Sequence, residues 1–155
     1  MIQHLVINGG GPTGWMTYGA VKHLIEKEFI HLDNIKSIYG TSAGAILGAI
    51  FLLKHEWKTL DDYFLKRPWD KVFKVEPNNF FEMYYKKGLF QFSMVEEIVI
   101  PLMTAKDLSK DITLKEFYEN TNIDFHCFTV EINSFEKVDL SHKTHPDLSL
   151  IKALE

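Results

Sequence analysis

The sequence predicts an α/β domain of three layers, a mainly parallel central sheet with helices on both faces. Three observations predict it. A strand-length apolar run breaks at consecutive glycines, the first 54 residues alternate strand, helix, strand, helix, and the early strands carry few polar side chains, as strands covered on both faces would. A length of 155 residues with 46% hydrophobic and 14% aromatic content suits one core in one domain over 1–155.

The elements follow in order. Ile2 to Ile7 has strand length and ends at Asn8-Gly9-Gly10-Gly11, where the glycines must break it. From Trp15 to about Glu28, Met16, Ala20, Val21, Leu24 and Ile25 recur at helical spacing and favour a helix buried on one face. Ile35 to Tyr39 is a second short strand, and Ala43 to Lys54 is a helix apolar nearly all round. Two parallel strands joined by a helix need a right-handed crossover. Thr59 can cap a helix running to about Lys66, which Pro68 interrupts. Ser93 with Glu96, and Thr113 with Glu116, have the capping-box spacing, so helices start at both places. Phe125 to Asn133 and Phe135 to Leu140 form two strands meeting near Asn133 and Ser134. A final helix starts near Asp147 and is still in its apolar pattern at Glu155, with no stop signal, which reads as a truncated end.

Composition excludes several classes of function. Lys and Arg total 17 against 21 Asp and Glu, a net charge of -4, so the chain is not built to neutralise nucleic-acid phosphates. The single cysteine, Cys127, forms no internal disulfide and no cysteine-rich zinc cage, which fits a reducing compartment such as the cytosol. The N-terminus lacks the basic stretch and long apolar run of a signal peptide. The most apolar segment, Ala43 to Leu53, falls short of the roughly 20 residues needed to span a bilayer.

Two short motifs carry the chemistry. Gly40-Thr41-Ser42-Ala43-Gly44 is a GxSxG pentapeptide placed after a strand and before a helix, the context in which such a serine becomes a nucleophile. A serine at that turn has a strained backbone and an outward hydroxyl, and the free N–H groups of the helix it opens favour negative charge beside it. The plain alternative is a serine N-cap in a glycine-rich turn. Gly9-Gly10-Gly11-Pro12-Thr13-Gly14 matches the GxGxxG dinucleotide fingerprint, but that reading wants an acidic residue at the end of the second strand, and Asp33 precedes the strand. A triple glycine before a helix also serves as an oxyanion hole, because residues without side chains let N–H groups approach a tetrahedral intermediate. Adjacent parallel strands end on one sheet edge, so the two loops should lie side by side and converge on one site.

Together, GGGPTG and, some 30 residues later, GTSAG in this strand and helix frame resemble the patatin-like phospholipase family, most clearly over residues 2 to 54. The resemblance implies the three-layer patatin-like fold, Ser42 as nucleophile within an elbow of Gly40, Thr41, Ala43 and Gly44, and Gly9, Gly10, Gly11 and Gly14 as the oxyanion segment. It implies hydrolysis of acyl esters of lipid or phospholipid substrates through a Ser-Asp dyad, with no cofactor and no metal. Family loops often carry Arg or Lys where this chain has Thr13.

The resemblance also implies a base in an Asp-Gly motif downstream, and no Asp-Gly pair occurs here. The expected base therefore lies beyond residue 155, with Asp139 a weak substitute, and the chain alone should be weakly active or inactive. His126, His142 and His145 follow the serine in the order an α/β-hydrolase triad would need, but the serine comes too early for that architecture, and solvated loop histidines are the plainer reading of His142 and His145. The aromatic and lysine-bearing stretch Phe80 to Phe92 is a candidate lid or peripheral membrane contact, with core packing as its alternative. The rival functions are a nucleotide-binding module using the glycine loop and a lipid-binding protein without catalysis.

Overall fold

The computed structural model describes residues 2–69 and 93–155. Four strands, β1 (His4–Ile7), β2 (Ser37–Gly40), β3 (Asp124–Val130) and β4 (Lys137–Ser141), form one sheet in the order β1-β2-β3-β4. The first three are parallel and β4 is antiparallel to β3. Helices α1 (Gly14–Glu26) and α2 (Ala43–Leu52) follow the first two strands, as the alternating apolar pattern predicts, but α1 buries Tyr18 and Val21 while Met16, Ala20 and Leu24 of the expected apolar face are exposed. Then come α3 (Trp57–Lys66), α4 (Ser93–Thr104), α5 (Leu114–Thr121) and, after the β3–β4 hairpin, α6 (Leu150–Leu154).

Three helix starts show how local chemistry sets boundaries. Thr113 and Glu116 form the complete capping box, with Glu116 N–H donating to Thr113 Oγ1 and Thr113 N–H donating to Glu116 Oε2. The N-cap of α3 is Glu56 and not Thr59, because the apolar stripe of Trp57, Leu60 and Phe64 begins a turn earlier. The N-cap of α6 is Ser149 and not Asp147: Leu150 N–H donates to the Ile112 carbonyl and Leu114 N–H to that of Leu148, which holds this segment extended until Ser149. α4 begins at Ser93 as the spacing predicts, while the side chain that would complete its capping box, and the Phe80 to Phe92 stretch, lie outside the described residues.

Alternation along the strands divides the sheet into two faces. Ile38 and Phe125 face α2, which comes so close at Gly48 that a Cβ there would lie 2.8 Å from Ile38 Cγ2. Eight of the ten residues of α2 are buried, so it is the centre of the core. On the opposite face Tyr39 stacks on His126 with 4.6 Å between ring centroids and on Phe128 at 6.2 Å, while Val6 is 82% exposed. The cause is topological. The strand order never reverses, and successive right-handed crossovers in one direction keep their helices on one side of a sheet. α1 accordingly packs on α2, through Tyr18 against Phe51. No described helix is long and apolar enough to cross a membrane.

Candidate active site

β1 and β2 are parallel with Ile7 level with Gly40, so the glycine loop after β1 and the GxSxG turn after β2 leave the same edge of the sheet. They are in contact. A Cβ built on Gly9 would sit 3.1 Å from Ser42 Cβ, and one on Gly14 would sit 3.3 Å from Ala43 Cβ. The seam closes because Gly44 has no side chain: a Cβ there would lie 2.3 Å from the Ile7 carbonyl oxygen. A Cβ on Gly40 would meet the Ala45 backbone at 2.6 Å, so the elbow is tight on its strand side as well.

Ser42 stands at the N-cap position of α2 with φ 52° and ψ -132°, a conformation that L-residues avoid. Its side chain makes no capping bond to α2, and the residue is exposed. An N-cap serine in a relaxed turn would accept from the second or third N–H of its helix. This one leaves its hydroxyl without that bond, and its backbone conformation carries an energetic cost on the order of 1–3 kcal/mol. Thr41 anchors the turn from the other side, its Oγ1 donating to the Phe128 carbonyl at 3.0 Å.

The glycine loop presents its backbone. Gly11 has φ 51° and opens a short 3-10 turn through Thr13, and its α-carbon faces open space. Thr13 folds back on Gly10, with both its N–H and its hydroxyl donating to the Gly10 carbonyl, at 3.1 and 2.8 Å. That carbonyl is thereby held away from any incoming anion. Thr13 has a structural use here, where the family resemblance leads one to look for a cation. Among the described residues, the N–H groups of Gly9, Gly10 and Gly11 have no acceptor, and neither does that of Ala43, the first residue of α2. The sequence motif did not single out the Thr41 anchor, because its partner carbonyl at Phe128 is 87 residues away in sequence and depends on which strand end lies alongside.

The acid–base candidates lie apart from Ser42. Asp139 is bound to His126, whose Nδ1 lies 2.9 and 3.0 Å from its two carboxylate oxygens. β4 runs antiparallel, so its end at Ser141, and with it His142 and His145, belongs to the opposite edge of the sheet. His142 stacks on Tyr118 at 3.8 Å, and burial lowers its pKa. His145 Nδ1 meets Thr144 Oγ1 at 3.0 Å. Asp33 also lies at that far edge, in the turn before β2, bonded to Lys54 at 2.7 Å, and so cannot hold a ribose beside the glycine loop. Among the described residues, no carboxylate or imidazole hydrogen-bonds Ser42. A cavity of about 260 Å³ at the C-terminal end of α2, lined by Leu52, Lys54, Lys106 and Asn120, is at the other end of that helix from Ser42.

A family model described as patatin-like phospholipase matches residues 5–155. A probable lipid hydrolase, 463L of Invertebrate iridescent virus 6, is 23% identical over 153 residues, covering 97% of this chain and 51% of that protein. The uncharacterized protein R571 of Acanthamoeba polyphaga mimivirus is 23% identical over 119 residues, 77% of this chain and 40% of its own. Among solved structures, VipD from Legionella pneumophila superposes with a TM-score of 0.63 at 14% identity, over 98% of this chain and 41% of that one. The type III effector ExoU superposes with a TM-score of 0.59 at 15% identity, over 97% and 38%. The chain thus spans about half or less of the length of the relatives it matches.

Proposed function

The chain belongs to the patatin-like phospholipase family, and from that premise we propose that it carries the nucleophile and oxyanion hole of a lipid acyl hydrolase. The observation that carries this reading is the backbone of Ser42, strained at φ 52° and pressed against Gly9 with its hydroxyl unengaged by the helix it begins. Ser42 Oγ attacks the ester carbonyl carbon. The oxygen that becomes negative is met by the N–H groups of Gly10 and Gly11, with Ala43 N–H and the N-terminus of α2 adding positive potential. Each such donor is worth roughly 10²- to 10³-fold in rate. Collapse of the tetrahedral intermediate breaks the ester C–O bond and releases the alcohol, which takes up the serine's proton through the base, and water then attacks the acyl group on Ser42, freeing the fatty acid and restoring the hydroxyl.

The proton of Ser42 needs an acceptor, and a positioned base contributes roughly 10²- to 10⁴-fold. The carboxylate of Asp139 is already held by His126, so the base in this proposal comes from outside the described residues. Without it the site would bind lipid and turn over slowly, which is how the non-catalytic reading and the catalytic one meet in this chain. The experiment is hydrolysis of p-nitrophenyl butyrate by whichever length of the protein turns the ester over. Ser42→Ala should return the rate to that of buffer, and a Ser42→Ala protein that hydrolyses the ester as before would remove Ser42 from the mechanism.

A further inference from the structure

The β3–β4 hairpin stands on the same edge as Ser42 and rises above it. Gly40, the last residue of β2, is level with Cys127, and β3 continues for three more residues to Val130, about 10 Å further at the ordinary rise of a strand. The Thr41 to Phe128 bond fixes the base of the hairpin to the elbow. At its tip, residues 131–136, Ile132 and Phe135 are 80% and 81% exposed. On the other flank of Ser42, the first turn of α1 presents Met16 at 75% exposure.

Single exposed apolar side chains are ordinary on protein surfaces and by themselves mean little. Two features set this tip apart. Phe135 has φ 56°, a left-handed conformation that a bulky L-residue adopts at a cost, and its ring gains no burial in return. The tip is also rigid. The Glu131 carboxylate accepts from Asn133 N–H at 3.0 Å, Asn133 Nδ2 at 2.7 Å and Ser134 N–H at 2.6 Å, while Phe135 N–H donates to the Glu131 carbonyl at 2.9 Å. The N–H groups of Asn133, Ser134 and Phe135 are thus satisfied within the turn, which lowers what it costs these groups to leave water.

We propose that this hairpin tip is a membrane-insertion element, which seats the Ser42 edge on a zwitterionic phospholipid bilayer through Ile132 and Phe135. The choice of a zwitterionic surface follows from charge: Glu131 and Glu136 flank the two apolar side chains, so an anionic surface would repel the tip. The inference rests on the lipid-hydrolase reading for its partner, since an ester that reaches Ser42 from a bilayer must pass the hairpin that overtops it. Rigid presentation leaves little ordering entropy to lose on insertion.

The test is co-sedimentation of the full chain with vesicles of diether phosphatidylcholine, which contain no ester to hydrolyse. The chain should sediment, with no dependence on added salt, and Ile132→Ser/Phe135→Ser should weaken partitioning by at least tenfold, on the order of what one buried apolar side chain supplies. Phe29→Ser, at a 68% exposed site beyond the far end of α1, should sediment as the unmodified chain does. Phe135→Gly separates insertion from folding: it should raise the unfolding midpoint by relieving the left-handed strain and still weaken partitioning. The proposal is overturned if the chain does not sediment, if the double variant sediments unchanged, or if the tip instead drives vesicle-free dimerisation that the double variant abolishes. Fluorophosphonate labelling of Ser42, read in parallel, should be the same in the hairpin variants. Sedimentation of the chain, with neither labelling of Ser42 nor ester hydrolysis by any length of the protein, would sink the hydrolase reading and leave the insertion element standing.

Discussion

Ser42 is where the local chemistry is most constrained. Its positive φ goes with closely packed loops: a Cβ on Gly9 would lie 3.1 Å from Ser42 Cβ, and Gly44 is seated on the Ile7 carbonyl. Ser42→Gly removes that strain at the cost of a more flexible unfolded chain, and the net effect should be a gain of about 1 kcal/mol, raising the unfolding midpoint by about 3 °C. Calorimetry checks this, and a lower midpoint would mean that the conformation is not strained. The importance of these glycines was legible in the sequence, since GGGxxG and GxSxG announce sites where side chains are excluded. What each glycine touches was not, because the contacts of Gly9 with Ser42 and of Gly44 with Ile7 cross between strands some 35 residues apart in sequence. Asp139 shows the opposite case. The sequence left it as a weak substitute for the base, and only the packing of β3 against β4 showed that its carboxylate is occupied by His126.

Among the elements, the β3–β4 hairpin carries a pH dependence of its own. The backbone N–H groups of Asn133 and Ser134 hold the Glu131 carboxyl at a pKa of about 2, below its ordinary 4.5. A carboxyl with a depressed folded-state pKa contributes to stability above its unfolded value, and that contribution is lost as pH falls through the folded value. The tip should therefore stay ordered down to about pH 4.5 and loosen between there and pH 2, while the sheet below it persists. The protection factor for amide exchange at Ser134, the rate relative to an unstructured peptide at the same pH, measures this: it should fall as pH drops from 4.5 to 2, and Glu131→Gln should show the low value already at neutral pH. A Ser134 protection factor that is the same at pH 2 and pH 6 would contradict it. Helices were legible wherever an apolar stripe or a capping box marked them, as at Thr113. Boundaries slipped where tertiary hydrogen bonds outweighed local signals, as at Ser149, where the pairing of 148–150 with 112–114 displaced a start expected at Asp147.

For the whole molecule, the direction of the chain through the sheet decides what the site can be. Three parallel strands deliver the glycine loop, the serine elbow and the hairpin to one edge, and the antiparallel β4 carries His142 and His145 to the other. The order of strands and helices was readable from apolar period and glycine breaks, and parallel neighbours imply a shared edge. The layering of helices was less so: helical period shows that a helix has a buried side but not which face of the sheet it covers, and the unreversed strand order keeps α1 and α2 together while Val6 on the other face stays exposed. The central claim is that this convergence, and not the serine alone, makes position 42 reactive. Peptide-mapped phosphonylation by a fluorophosphonate, run on whichever length of the protein turns the ester over, folded and again in urea, tests it most directly. The account predicts that Ser42 is labelled faster than every other serine when folded and no faster when unfolded; equal labelling of all serines in the folded chain, or selectivity at Ser42 that survives unfolding, would contradict it.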